Sequence, residues 1–122
     1  MIIFLGVLNA SNARILTYNL LNYEDENNRE DDYVMILDLV EPDLIIAQEI
    51  IGQTGYSHFQ SDVLDVLEPN TWSSAPFTNQ SAQQDIALYY KSDIFTFIGT
   101  SVVYTAQSSG TRDVIEWVML HN

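Results

Sequence analysis

The sequence predicts an α/β domain, and three observations carry that prediction. Arg14 to Leu21 (RILTYNLL) and Pro42 to Ile50 (PDLIIAQEI) each read as a buried β-strand. Between them, Asn28 to Glu41 has the amphipathic pattern of a helix. The last third of the chain is rich in Ile, Phe, Tyr, Thr and Val and reads as further strands. Strand, helix and strand within about 37 residues match a βαβ unit, whose right-handed crossover brings the two strands parallel, as neighbours. Their C-terminal ends then share one sheet edge, where open α/β sheets place their sites. Asn19 in the first strand and Glu49 in the second therefore converge, an amide beside a carboxylate.

Composition narrows the classes of function. The 122 residues carry 47% hydrophobic and 17% charged side chains, a globular composition. Seventeen acidic residues against Arg14, Arg29, Lys91 and Arg112 leave a formal charge of −13. Such a chain repels phosphate backbones, which excludes non-specific nucleic-acid binding through a basic patch. Phosphate chemistry at a metal stays open, because a bound divalent cation reverses the local field. The acidity by itself reads as solubility or as adaptation to salt. Without cysteine there is no disulfide framework and no thiolate zinc site. No apolar run reaches the roughly 18 to 20 residues of a membrane span, so no integral membrane segment is expected.

Taken in order, Met1 to Ala13 (MIIFLGVLNASNA) resembles the tail of a secretory signal, an apolar stretch followed by small residues, without a basic start. Secretion is the corresponding expectation, and an edge strand is the alternative. In the first strand Ile15, Thr17 and Asn19 face one way, and Leu16, Tyr18 and Leu20 the other. Asn22 to Asp32 is an acidic, asparagine-rich loop or helix entrance with Arg29 as its one cation. Tyr33, Ile36, Leu37 and Val40 form an apolar helical stripe. Glu30, Asp31 and Asp32 in the first turn complement the helix dipole. Pro42 ends the helix, since the residue before a proline is driven out of helical geometry.

Leu44, Ile45, Ile46 and Ala47 in succession read as a strand buried on both faces, and Gly52 and Gly55 break it. A second helix is predicted over Phe59 to Leu67, with Phe59, Val63, Val66 and Leu67 inward. Trp72 to Ala75 is a short strand within a polar loop. Ile86 to Lys91 and Ile94 to Tyr104, joined by Ser92-Asp93, read as a hairpin. Val114 to Leu120 is a last strand.

Taken together, TYNLLNY, PDLIIAQEI, DIALYYK and TRDVIEWVM resemble the endonuclease/exonuclease/phosphatase superfamily, which includes DNase I-like nucleases and sphingomyelinase-like phosphodiesterases. The resemblance runs from Arg14 to the C-terminus. The Tyr18-Asn19 and Gln48-Glu49 pairs at strand ends are its specific signals. It implies the N-terminal half of a DNase I-like four-layer α/β sandwich, a mixed sheet with flanking helices. It implies that Glu49 ligates Mg²⁺ or Mn²⁺, that Asn19 orients the site or a phosphate oxygen, and that Arg112 contacts phosphate. The implied reaction is metal-activated attack of water on a phosphodiester, in a nucleic acid, a phospholipid or a sugar phosphate.

The chain departs from the family pattern in its later motifs. Neither His58 nor His121 matches the general-base histidine, and no Asp-x-Asn after Glu49 and no Asp-His occurs. Residues 14–122 therefore read as an incomplete domain, inactive or nearly so by itself, with residues 1–13 as the remnant of a signal. Arg29 and Asp85 also fall at family-like positions, where an ordinary surface or supporting role is expected. The alternative reading is a non-catalytic binding module that keeps the first half of the fold. Nothing in the sequence points to a protein partner.

Overall fold

The computed structural model describes residues 12–25, 28–80, 82–103 and 113–122. Its first unit is the expected one. β1 (Ile15–Tyr23), α1 (Glu30–Val40) and β2 (Leu44–Ile50) follow one another, and β1 pairs with β2 in parallel. α1 begins without a side-chain cap but carries Glu30, Asp31 and Asp32 in its first turn, where carboxylates meet the positive end of the dipole. It ends at Glu41, which adopts left-handed geometry (φ 50°) and returns its N–H to Leu37 O at 2.8 Å. Pro42 then turns the chain into β2. The buried stripe of α1 is narrower than the spacing suggests: Tyr33 and Leu37 are buried, whereas Ile36 is 36% exposed.

The second helical segment starts earlier than predicted. α2 (Gly52–His58) runs into a π-helical turn over Phe59–Leu64 and a closing turn, α3 (Asp65–Leu67). A π turn inserts one residue into the helical repeat and shifts the inward face. Phe59, Val63 and Leu64 are accordingly buried, and Val66, expected inward, is 62% exposed.

β3 (Trp72–Ser74) and β4 (Asp85–Lys91) complete a mixed sheet in the order β1-β2-β4-β3, with β4 antiparallel to both neighbours. The predicted hairpin between the strand at 86–91 and the next one does not form. β5 (Phe95–Val103) leaves the sheet and pairs antiparallel with β6 (Val114–His121) in a second, two-stranded sheet. The turn at Ser92–Ile94 is tied elsewhere: Ser92 N–H donates to Thr71 O and Asn122 N–H to Ile94 O. A tight turn between two strand-like runs fits a hairpin and a change of sheet equally well; packing decides for the latter.

Alternation along the strands sorts the side chains into two clusters. Ile45, Ala47, Ala87 and Tyr89 join Tyr33, Leu37, Phe59 and Leu64 beneath the helices. Leu44, Leu88 and Tyr90 join Phe95, with Phe97, Trp117 and Met119 packed against them from the second sheet. The order is helices, mixed sheet, two-stranded sheet. Each fully buried side chain such as Leu37, Ile45 or Phe59 contributes about 1.5–3 kcal/mol. The small sheet does not cover β1 on that side: Ile15 is 62% exposed, and Thr17 and Asn19 are exposed with it. No described helix is long and apolar enough to cross a membrane. The signal-like stretch falls almost wholly, and Arg112 and Tyr104 wholly, outside the described residues.

Candidate functional site

β1 and β2 run in register from Ile15–Leu44 to Asn19–Gln48, and the next pair is Tyr23–Ile50. Leu20, Leu21 and Asn22 thus stand opposite the single residue Glu49. This bulge forms where sequence analysis places the two candidate residues, at the C-terminal ends of parallel neighbours. Leu21, Asn22 and Glu49 have φ of 51°, 56° and 59°, left-handed conformations that cost about 1–3 kcal/mol each unless the surroundings enforce them. Asparagine tolerates this geometry better than leucine or glutamate.

The enforcing contacts are specific. Asn19 Oδ1 accepts the Leu21 N–H at 2.8 Å, a local turn of the kind short amide side chains make. Arg29 Nη1 donates to Leu20 O (2.9 Å) and Leu21 O (3.1 Å), and the Tyr33 hydroxyl donates to Leu20 O at 2.9 Å. The Arg29 guanidinium also lies over the rings of Tyr23 and Tyr33, 5.9 and 5.6 Å from their centroids. Tyr23 O accepts the Ile51 N–H at 2.8 Å, and Asn22 Oδ1 accepts the side-chain amide of Gln84. Arg29 therefore shapes the backbone of the bulge, the supporting role expected of it.

Asp85 holds the neighbouring strand end. Its carboxylate is 3% exposed and accepts two backbone N–H groups, Gly52 at 3.1 Å and Gln80 at 3.0 Å. Burial pushes its pKa above the usual carboxylate range, against the pull of those two donors. It links the start of α2 to the loop before β4 and so fixes the floor of the same sheet edge.

Asn19 is exposed and Glu49 half-buried, on adjacent strands at one edge. Asn19 lies level with Gln48, and Glu49 occupies the bulge one residue on. Arg112 lies outside the described residues, so only two of the three predicted residues can be located. Gln48, of the Gln48-Glu49 pair, also lines this rim, as do Asn22 and Gln84, which were not singled out in the sequence. The signal for Asn22 was the second asparagine of NLLN, a residue type that accepts left-handed backbone at a strand end. The histidines lie apart from the rim: His58 Nδ1 sits 3.3 Å from Asp62 Oδ2, and His121 stacks on Phe95 at 5.2 Å.

The rim suits a hard cation of the Mg²⁺ type in one sense only. Mg²⁺ commonly takes one or two carboxylates and fills its octahedron with water and substrate oxygens, and Glu49 supplies one carboxylate. Among the described residues, no group of three or more His, Cys, Asp or Glu side chains able to hold a metal occurs.

A cavity of about 560 Å³ lies at the opposite pole, lined by Arg14, Asp38, Glu41, Pro42, Trp72 and Lys91 among others. Its cations are structural. Arg14 Nη1 donates to Val40 O and Glu41 O at the C-terminal end of α1, where positive charge suits the dipole. Lys91 Nζ pairs with Glu68 Oε2 at 3.0 Å and sits 5.5 Å from the Trp72 ring centroid. No family model, curated protein or solved structure matches the chain.

Proposed function

We propose that this chain carries part of a divalent-metal-dependent phosphoester hydrolase site of the endonuclease/exonuclease/phosphatase type, acting on a phosphodiester. The observation that supports it most is positional: Asn19 of TYNLLNY and Glu49 of PDLIIAQEI stand at the C-terminal ends of adjacent parallel strands. In this reading Glu49 is the ligand of Mg²⁺ or Mn²⁺, and Asn19 donates its amide to a phosphoryl oxygen. Arg112 offers bidentate donors to a second phosphate oxygen. The metal, when bound, would polarise a phosphoryl oxygen and stabilise the charge that develops as water attacks. A DNase I-like sandwich is the finer architecture that goes with this reading, and the order helices, sheet, sheet is compatible with it.

Binding of Mg²⁺ is the direct test, because it does not depend on turnover. Calorimetric titration is expected to give Mg²⁺ binding in the wild-type chain and its loss in Glu49→Gln, with folding unchanged by circular dichroism. Undiminished Mg²⁺ binding in Glu49→Gln would sink the assignment. Asn19→Ala is expected to keep Mg²⁺ and lose a phosphodiester added with it.

A second reading, a non-catalytic interaction module, draws on the second sheet. Val103, Val114, Val118 and Leu120 are each between 48% and 59% exposed, and the register Val103–Val114 puts the strand pair's aliphatics side by side. This reading expects no Mg²⁺ dependence of stability or binding and full tolerance of Glu49→Gln.

A further inference from the structure

We infer that Asn22 is a second anion-contacting residue beside Asn19, and that the rim accepts one phosphate group of a small ester in preference to a nucleic-acid strand. The inference rests on the metal-dependent phosphoester reading above and deepens it.

The two carboxamides share one orientation. Each amide has an acceptor end and a donor end, and in both residues the acceptor is already engaged. Asn19 Oδ1 takes the Leu21 N–H, and Asn22 Oδ1 takes the Gln84 amide. Both side chains are exposed. The NH₂ ends are what the rim presents to a ligand, which suits an acceptor, and an oxyanion is the strongest one.

The rim is built before any ligand arrives. Asn19 precedes and Asn22 closes a bulge whose backbone is held by Arg29, Tyr33 and Gln84. Donors fixed in advance cost no ordering when the anion binds.

The placement of the cations limits the size of the anion. Nucleic-acid binding relies on several cations tracking successive phosphates. Arg14 and Lys91 lie at the other pole, committed to α1 carbonyls and to Glu68. Arg29 has turned its Nη1 donors onto Leu20 O and Leu21 O. Among the described residues, then, none of the three cations Arg14, Arg29 and Lys91 stands ready for a second phosphate, in a chain of charge −13. One phosphate, its charge met by the metal and by neutral amide donors, is what this rim can balance.

The probe is dimethyl phosphate with Mg²⁺, followed by nitrogen–proton NMR of the side-chain amides in the full chain. Both the Asn19 and Asn22 NH₂ signals are expected to shift. Asn22→Gly keeps the left-handed backbone and removes the donor, and should weaken binding roughly fivefold to tenfold with Mg²⁺ binding intact. A short single-stranded oligodeoxynucleotide should bind no tighter, per phosphate, than dimethyl phosphate, there being no track for further phosphates. A response of Asn19 without Asn22, or wild-type affinity in Asn22→Gly, overturns the Asn22 assignment and leaves the phosphoester reading standing. An oligonucleotide bound tighter per phosphate than dimethyl phosphate overturns the size limit. If neither amide responds and Mg²⁺ binding is indifferent to Glu49→Gln, the phosphoester reading fails, and this inference with it.

Discussion

The backbone of Gly55 lies directly against the carbonyl of Tyr23: a Cβ on Gly55 would stand 2.4 Å from Tyr23 O and 3.1 Å from Ile50 Cγ2. The same carbonyl accepts the Ile51 N–H. α2 therefore rests on the last residue of the bulge, and the site edge and the helix share one close contact.

Gly55→Ala is expected to destabilise the fold by about 2–3 kcal/mol, because the atom it meets is backbone and cannot swing aside. Gly52→Ala meets open space and suffers only its positive φ of 62°, costing about 1 kcal/mol. Urea denaturation should show the larger midpoint drop for Gly55→Ala, with the slope unchanged. Equal costs at the two positions would refute the contact.

Arg29 is expected to be more than a surface cation. Replacing it by Met removes two charge-assisted bonds to Leu20 O and Leu21 O and its place over two tyrosine rings, a loss of about 2–3 kcal/mol. Arg29→Lys keeps the charge but not the planar fork, and should recover only part of the loss. Full recovery with lysine would show that charge alone matters. Amide exchange at Leu21 reports the bulge itself and should quicken in both variants.

Asp85 gives a pH dependence whose sign follows from its raised pKa. The folded state holds this proton more tightly than the unfolded one, so its contribution is present at low pH. That contribution is lost as pH rises from about 4, the unfolded value, through the higher folded pKa, and is flat beyond. Asp85→Asn removes this segment of the stability curve. It also turns an amide NH₂ toward one of the two backbone N–H groups, lowering stability at neutral pH by about 1–3 kcal/mol. Identical pH profiles for wild type and variant, measured by thermal unfolding, would contradict the assignment.

Tyrosines set the alkaline limit. Burial raises the pKa of Tyr18, Tyr23, Tyr33, Tyr89 and Tyr90, most strongly at Tyr23 and Tyr89. Tyr23 is raised further by its hydrogen bond to Glu30 at 3.0 Å. A folded pKa above the unfolded value means stability that is complete below about pH 10 and lost as pH climbs past it. Tyrosinate absorbance and circular dichroism should therefore change together, in one transition. Tyrosinate forming well before the fold is lost would show these hydroxyls to be accessible.

The segments themselves were legible along the chain, and so was one end of the site. Alternation from Ile15 to Leu20 and the unbroken run Leu44–Ala47 located β1 and β2, and their spacing about α1 made them parallel neighbours. Asn19 and Glu49 could be placed at one edge on that basis alone. The bulge could not, because no local pattern states that three residues of β1 oppose one of β2; besides the local Asn19 turn it is held by Arg29 and Tyr33 from the next element and by Gln84, 62 residues from Asn22. The same holds for the π turn, where an inserted residue moved Leu64 inward and Val66 outward against the regular period.

What the sequence by itself determined is therefore the α/β class, the elements and the two residues at the strand ends, since periodicity and breakers act over a few neighbouring residues. Tertiary structure alone decided that β4 pairs with β2 and β3 while β5 joins β6, and that Asn22 shares the rim with Asn19. Those outcomes depend on which apolar faces cover one another and on which buried carbonyls find donors, and both are settled between residues far apart in the chain.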